Sequence, residues 1–498
     1  MLTKLIVLGI YFAILFIIGI VASRKIKGLS DFYVGGKNIG YWAVAFSARA
    51  TGESGWLLLG LTGMGAIAGI SAYWVVIGEL LGVGISWFFM AKPFKRLSDN
   101  YNSITIPDFL ESHFKPKTHL LRIVAATALS VFVIIYVSAQ IDVTGKAFES
   151  FLGINYYTGA IAGFLIVLAY IFTGGFVAVV WSDFFQGLLM FLGLVALPIV
   201  AFWSIENGAE IYSSLNAIDP DLTKLFGGGD DIWMKIATML GFAMIGLDFL
   251  GSPQIYVRFM SIKNEAEINK GRWVALVFTL LTDAAAVTIG LLGRYLYTSA
   301  GQDPEAILGN QGEDVLITLI EDLLPLTVIA IYVAIILSAI MSTIDSLLVL
   351  ASSAVTRDFY MQIFRPDLDE KKMSRISRMV TLIMALFALG IAIAVAISTP
   401  ERTVFWFVIF GWSGIAATFC PVIILSLFWN DYSEKGAIAS MITGFCAVPL
   451  FKFIVQEMEG IGPYFEKLDV LAPSFLLAML SGYLFTKIYP RQTTLTTQ

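Results

Sequence analysis

Residues 47–63 read SARATGESGWLLLGLTG. An apolar helix runs through them, yet serine, threonine and glycine interrupt it, and Arg49, Thr51, Glu53 and Ser54 crowd its first half. In hydrocarbon every backbone polar group needs an internal partner, so a broken helix survives only where protein covers it or where it lines a cavity. There its free carbonyls and N–H groups can hold ions and carboxylates. Small residues also serve helix packing, but packing alone does not require an arginine, a glutamate and two hydroxyls so close together.

The chain around this stretch is apolar throughout. Of its 498 residues, 58% are hydrophobic and 14% are charged, about half the charged share of a soluble domain. Mean hydropathy is +0.81. This composition excludes a water-exposed enzyme, a disordered chain and a secreted disulfide scaffold. The two cysteines, Cys420 and Cys446, lie in separate apolar segments, so no disulfide framework can be read. The two histidines, His113 and His119, flank a basic loop, which argues against a histidine/cysteine metal centre and a histidine-based catalyst. Net charge is −5, with no basic tract fit for nucleic acid. The expected surroundings are a lipid bilayer, with no nucleic acid, no organic cofactor and no obligate protein partner.

A helix crossing the hydrocarbon core needs about 20 apolar residues. About thirteen stretches qualify: 3–22, 41–68, 71–91, 119–145, 157–176, 180–203, 233–256, 272–296, 326–354, 376–398, 403–428, 434–455 and 469–487. The prediction is an all-α polytopic membrane protein in which 1–498 form one integral domain. The first stretch is too long and apolar for a signal peptide, and no small-residue cleavage site precedes the basic run at 24–27. No GxxxxGK[ST] phosphate loop occurs, so ATP-driven transport by this chain alone is not expected. With the N-terminus outside and the C-terminus cytoplasmic, about 23 of the 32 basic residues fall inside. These include Lys25, Lys27, Lys95, Lys117, Arg122, Arg258, Arg357 and Arg365, while the outer loop 205–231 is acidic. A compact transporter with no visible targeting peptide is expected in a bacterial inner membrane.

Ionisable groups at membrane depth are expensive and functional by default. Arg49, Glu53, Glu79, Asp183, Asp248, Asp283 and Asp345 stand there, and a surplus of carboxylates suits a bound cation or a carried proton. Arg49 and Glu53 are four apart on one helix face and can pair with each other, while Glu79 and Asp283 read as structural. A second interruption, GLDFLGSP at 246–253, combines a proline and two glycines with Asp248. The two breaks lie about 200 residues apart, and corresponding breaks in two halves point to an inverted-repeat transporter. The division this gives is 1–40 as an N-terminal helix and loop, 41–205 and 206–430 as the repeats, and 431–498 as C-terminal helices and tail. A third cluster, SAIMSTIDSLLVLASS at 338–353, sets Ser342, Asp345 and Ser346 three or four apart beside Thr343. Hydroxyls and a carboxylate there offer the oxygen ligands that sodium favours.

With these residues in view, the chain resembles the sodium:solute symporter family, and within it the sodium/proline symporters. The resemblance runs over nearly the whole length. It rests on DFYVGGKNIG (31–40), SGWLLLGLTG (54–63), IPDFLESHF (106–114), FTGGFVAVVWSDFFQG (172–187), GSPQIYVRFM (251–260) and SAIMSTIDS (338–346). It implies a leucine-transporter-like core of two inverted repeats with discontinuous helices. It also implies a main sodium site made by the carbonyls of Ala50, Glu53 and Ala339 with the hydroxyls of Ser342 and Thr343. A second sodium site, present in some members, maps to Asp183, Ser342, Asp345 and Ser346. The solute pocket maps to Ser54, Gly55, Trp56, Tyr136 and the Phe249–Pro253 stretch.

The chain departs from proline symporters at telling positions. Gly52 stands where they carry an aspartate, with Glu53 one residue later. Ile245 and Phe249 stand where they carry an aromatic pair. Arg49 and Asp248 are unusual too, and a guanidinium at Arg49 can recognise a substrate carboxylate. The expected function is sodium-driven uptake of a small zwitterionic or anionic solute, with L-proline first. The alternatives are sodium- or proton-coupled uptake of another amino acid, pantothenate or a sugar acid. More distant ones are a solute sensor, for which the tail after 487 is short, and an intramembrane aspartyl protease built on Asp248 and Asp345.

Overall fold

The computed structural model describes residues 2–24, 29–116, 118–171, 175–364, 370–400 and 402–491. Lys25, Lys27, Lys117 and Arg365 of the basic set, and 172–174 of one quoted motif, lie outside the described residues. The described chain is helical, with no β-strand among the described residues and one isolated backbone bridge between Ile39 and Ile262.

The main helices are α1 (Leu2–Ser23), α2 (Tyr41–Gly55), α3 (Thr62–Ala68), α4 (Tyr73–Ile85), α5 (Leu120–Leu152), α6 (Tyr156–Ile171), α7 (Gly175–Trp203) and α8 (Ile232–Met244). They continue as α9 (Pro253–Ser261), α10 (Glu265–Tyr297), α11 (Leu326–Ser353), α12 (Glu370–Ser398), α13 (Val404–Phe428), α14 (Glu434–Leu450) and α15 (Leu471–Ile488). Among the described residues, 11 helices are long and apolar enough to cross a membrane. The expected count of thirteen differs at two places. One continuous run, Tyr41–Asn100, covers two of the expected stretches with its 60 residues. At 1.5 Å per residue it would measure about 90 Å, three times the hydrocarbon thickness. It is divided at Gly69, whose φ of +62° ends α3. The other difference is α6, which is apolar but short over its described length.

Both predicted interruptions are present. α2 meets a π-helical turn, Trp56–Leu61, across Ser54, which has φ 44° and ψ −167°. α8 tightens into a 3-10 turn, Ile245–Leu250, and α9 restarts at Pro253, whose missing N–H costs nothing in a first helical turn. By contrast α11, which carries the third polar cluster, is one continuous helix of 28 residues.

α2 lies at the centre, packed against α7, α9, α10 and α11. α4 crosses the Ile245–Leu250 turn through glycines. A Cβ on Gly78 would fall 1.9 Å from the carbonyl oxygen of Ala243, and one on Gly82 would fall 1.9 Å from that of Gly246. Backbone-to-backbone approach of this kind holds the second break beside the first. The outer faces of the bundle carry exposed apolar side chains such as Leu81, Phe89, Leu165, Leu192, Phe387 and Phe453. Apolar faces this extensive need lipid rather than water. Gly78→Leu should therefore separate α4 from the second break and cost about 3 kcal/mol or more, the upper range for overpacking. A markedly lower thermal midpoint of the purified protein, read by tryptophan fluorescence, is the expected result. An unchanged midpoint would show that the contact is not structural.

Candidate functional site

The first break is fixed by a side chain from another helix. Gln140, buried in α5, accepts the Gly55 N–H at 3.2 Å and donates to Ser54 Oγ at 3.3 Å. The Trp56 N–H also reaches Ser54 Oγ, at 3.4 Å, and the Trp56 indole N–H donates to the Gly52 carbonyl at 3.2 Å. A non-glycine residue at positive φ costs on the order of 1–3 kcal/mol and persists where its surroundings hold it. Gln140 supplies that hold.

An aromatic group stands beside the break. Trp412 of α13 is the hub, with ring centroids 5.7 Å from Trp56, 6.0 Å from Tyr136 and 5.7 Å from Phe249. The Trp412 indole nitrogen has no hydrogen-bond partner among the described residues. Asp248 is buried on the Ile245–Leu250 turn; its Oδ1 accepts from Ser252 Oγ, while its Oδ2 has no partner among the described residues. Pro253 follows as the first residue of α9. Gly52 gives the Phe249 ring its place, since a Cβ there would meet the ring at 3.0 Å. A side chain at that position would require the Phe249 ring to shift by a few tenths of an ångström.

On the face of α2 toward α11, backbone carbonyls meet hydroxyls. Ser342 Oγ donates to the carbonyls of Ala50 at 3.0 Å and Ala339 at 3.1 Å. Thr343 Oγ1 donates to those of Thr51 at 3.1 Å and Ala339 at 3.2 Å. The carbonyl of Glu53, expected in the same set, accepts the Trp56 N–H instead. Four of the five expected oxygens are thus gathered, with Thr51 contributing a carbonyl that the sequence did not single out.

Around Asp183 the structure adds a cation. The Arg258 guanidinium donates to Asp183 Oδ2 at 2.8 Å, to Ser346 Oγ and Thr51 Oγ1 at 2.6 Å each, and to Ser47 Oγ at 2.8 Å. Ser47 in turn donates to Asp183 at 2.6 Å. Asp345 is buried on α11, on the side near Tyr11. Arg258, one of the basic residues the sequence places on the inner side, lies within α9 and is 1% exposed.

The opposite face of α2 carries Arg49. Its guanidinium donates to Glu53 Oε1 at 2.7 and 3.1 Å and to Glu79 Oε2 at 2.9 Å, and lies 4.0 Å from Asp283 Oδ1. It also stacks on Phe249, 4.7 Å from the ring centroid. Arg49 and Glu53 therefore do pair, as their spacing allows. The guanidinium is engaged by protein carboxylates, and Phe249 stands between it and Trp412. Gln140, Asp142 and Trp412 were legible only as polar or bulky residues within apolar stretches. Asp142 accepts from Tyr156 at 2.6 Å and from Arg402. Lys146 and Glu313 form an ion pair at 3.5 Å, and Glu313 caps the N-terminus of α13 through the N–H groups of Val404 and Phe405 at 2.9 Å each.

Removing one partner of a buried ion pair strands the other, at about 3–5 kcal/mol. Arg49→Met is expected to lower the thermal midpoint by several degrees, and a second change, Glu53→Gln, is expected to restore part of the loss. Equal melting of Arg49→Met and the wild type would show that the ion pair contributes no stability.

Residues 32–444 match the sodium:solute symporter family. The chain is 34% identical over 471 residues to the high-affinity proline transporter PutP of Bacillus subtilis, covering 94% of each. It is 32% identical to the osmoregulated proline transporter OpuE of the same organism, covering 97% of this chain and 94% of the relative. It is 31% identical to the sodium/proline symporter of Staphylococcus aureus, covering 97% and 92%. Among solved structures, a Na+-coupled sialic acid symporter superposes with a TM-score of 0.80 at 18% identity, covering 99% of each chain. The transporter MhsT superposes with a TM-score of 0.55 at 12% identity, covering 88% of this chain and 98% of the other. The fold is thus the leucine-transporter-like one, and the chain, a multi-pass membrane transporter rather than an enzyme, belongs to the sodium:solute symporter family.

Proposed function

We propose that the protein takes up a small zwitterionic solute, L-proline first, driven by inward sodium flow. The observation that carries this reading is the meeting of the Ser342 and Thr343 hydroxyls with the backbone carbonyls just before the Ser54 break. Sodium is assigned to the carbonyls of Ala50 and Ala339 and the hydroxyls of Ser342 and Thr343. The relatives named for proline support that solute. The departures at Gly52, Ile245, Arg49 and Asp248 make other amino acids, pantothenate and sugar acids the solutes to test next.

In this reading the solute lies between the two breaks, against Ser54, Gly55, Trp56, Tyr136, Phe249 and Pro253. Trp412 Nε1 and Asp248 Oδ2 both lack partners, which suits a solute bearing one acceptor group and one positively charged nitrogen. Arg49 is assigned to the protein's own acids rather than to the solute. Sodium joins α2 to α11, the solute completes the break, and the outer side closes where Lys146, Glu313, Asp142 and Arg402 link α5 to the start of α13. Inner opening then releases both. Each charge crossing 100 mV supplies about 2.3 kcal/mol. Coupling is reciprocal, so sodium tightens solute binding and solute tightens sodium binding by the same factor.

The halves at 41–205 and 206–430 are assigned as the inverted repeats, flanked by 1–40 and 431–498. The assigned orientation is N-terminus outside and C-terminus cytoplasmic, in a bacterial inner membrane. At the second sodium position mapped to Asp183, Ser342, Asp345 and Ser346, Arg258 already donates to Asp183 and Ser346. We therefore assign a single transported sodium.

Uptake of radiolabelled proline into proteoliposomes, with and without an inward sodium gradient, tests the main reading. Accumulation that requires the gradient is expected. Its absence for proline, alongside sodium-driven uptake of another amino acid, would reassign the solute. Ser342→Ala and Thr343→Ala should each raise the sodium concentration for half-maximal uptake about tenfold, equivalent to about 1.4 kcal/mol. Unchanged sodium dependence in both would remove the site. Asp183→Asn should leave the sodium-to-solute ratio as it is, and a fall in that ratio would show that a second ion binds beside Arg258.

A further inference from the structure

The acids around Arg49 outnumber it, and the excess lies where charge is hardest to keep. Glu53, Glu79 and Asp283 are 0% exposed and Arg49 is 1% exposed. They come from three different helices, α2, α4 and α10. Fully ionised, three carboxylates against one guanidinium leave uncompensated negative charge within the membrane interior, which is strongly disfavoured.

The hydrogen bonds divide these acids unequally. Glu53 Oε1 receives Arg49 Nε at 3.1 Å, Arg49 Nη2 at 2.7 Å and the Thr282 hydroxyl at 3.0 Å. Glu79 Oε2 receives Arg49 Nη2 at 2.9 Å. Asp283 Oδ1, 4.0 Å from Arg49, lies beyond a direct hydrogen bond to it and is reached only by Thr282 at 3.2 Å. That hydroxyl is shared with Glu53 and with the Phe278 carbonyl. Among the described residues no donor reaches Glu79 Oε1 or Asp283 Oδ2. Yet the Glu79 and Asp283 carboxyls are neighbours around one nitrogen, Arg49 Nη2, at 2.9 Å from Glu79 Oε2 and 4.0 Å from Asp283 Oδ1. Ionised carboxylates only accept, so two that share one guanidinium nitrogen and each keep an orphaned oxygen gain a donor only by taking up a proton. Two like charges this close cannot both persist.

We propose that Glu79 and Asp283 form a proton-binding site inside the membrane, with one proton held between their carboxyls beside the Arg49 guanidinium. The proton supplies the donor that both orphaned oxygens lack and removes one of the excess charges. A metal ion fits less well. Among the described residues no three acidic, histidine or cysteine side chains converge as metal ligands. Arg49 also places a fixed positive charge against Glu79, where it repels a second cation.

The other groups facing the pair are few. α2 brings Arg49 and Glu53, and α10 brings Thr282 beside Asp283. The Ile245–Leu250 turn brings Asp248, and α5 brings Tyr136, both close enough to act electrostatically on Glu79. α8, which also packs on α4, has Lys235 in its first turn as its one charged residue. Neither Asp248 nor Tyr136 brings a positive charge that could compensate the pair. The site faces the side of α2 away from the Ser342 and Thr343 hydroxyls, so the proposal does not rest on the sodium assignment above.

The test is infrared spectroscopy of the full chain reconstituted in lipid, comparing spectra in H2O and D2O. A protonated carboxyl gives a C=O band that shifts on exchange. Asp283→Asn and Glu79→Gln should each lose one such band, and the double exchange Glu79→Asp with Asp283→Glu should keep it. The full wild-type band in both single variants would overturn the assignment. Near-ultraviolet circular dichroism reports whether each variant folds. The wild type itself gives a second measurement, with the band followed while sodium chloride or choline chloride is added. Persistence in both salts is expected of a proton site. Loss in sodium alone would make the site a sodium site and overturn the assignment.

Discussion

A helix that turns through 100° per residue places side chains two apart on nearly opposite faces, and this sets the plan of the transporter's centre. On α2, Ser47 and Thr51 form one polar stripe, and Arg49 and Glu53 form another. The first faces Arg258 and Asp183, the second faces Glu79 and Asp283. Neither stripe can be left to lipid, so α2 must be surrounded by helices that carry the complementary groups. Ser54 then ends the regular helix just beyond both stripes. The broken segment is therefore held from both sides directly before the point where its backbone becomes available.

The two stripes balance charge differently. Arg258 meets a single carboxylate, Asp183, and spends its remaining donors on hydroxyls and the Gln254 carbonyl. Arg49 meets three acids and covers an aromatic ring as well. One cluster is close to neutral by its own residues, while the other is complete only with a positive charge from elsewhere. A symporter uses its driving ion by letting that ion change which contacts its moving helices make. Asymmetry between the faces of α2 gives the chain two places where a small cation can act, one lined by carbonyls and hydroxyls and the other by carboxyls.

Much of this was legible in the sequence because polar residues stand out against an apolar background. The interruptions at 47–63 and 246–253 are both real breaks, and the hydroxyl cluster at 338–353 lies on the helix that meets α2. What could not be read were contacts across the bundle. Glu79 and Asp283 are about 200 residues apart, and each alone looks structural. Gln140 carries no charge, so nothing marked it as the residue that fixes Ser54. Arg258 follows a proline and precedes lysines, so it read as a loop residue near the membrane surface. Gly52 looked like the loss of a functional aspartate. Only the structure shows that the Phe249 ring edge packs against Gly52, so closely that an added side chain would require the ring to shift.

The contact between α2 and α11 also limits how the driving ion can act. The Ser342 and Thr343 hydroxyls donate directly to the carbonyls of Ala50 and Thr51, so these helices already touch. A sodium ion bound there as proposed would take the same oxygens as ligands, and each hydroxyl would turn its hydrogen away. The ion therefore replaces neutral hydrogen bonds, each worth about 1 kcal/mol net, with ion–oxygen contacts in a low-dielectric interior, where charge interactions are far stronger. What changes is the stiffness of the junction three residues before the break. Ser54 and Gly55 are held to Gln140 of a third helix, so a firmer junction on one side fixes the backbone that meets the solute on the other. Coupling then needs no direct contact between ion and solute. It requires only that both act on the same few residues of α2, and residues 50–55 are short enough for each to feel the other.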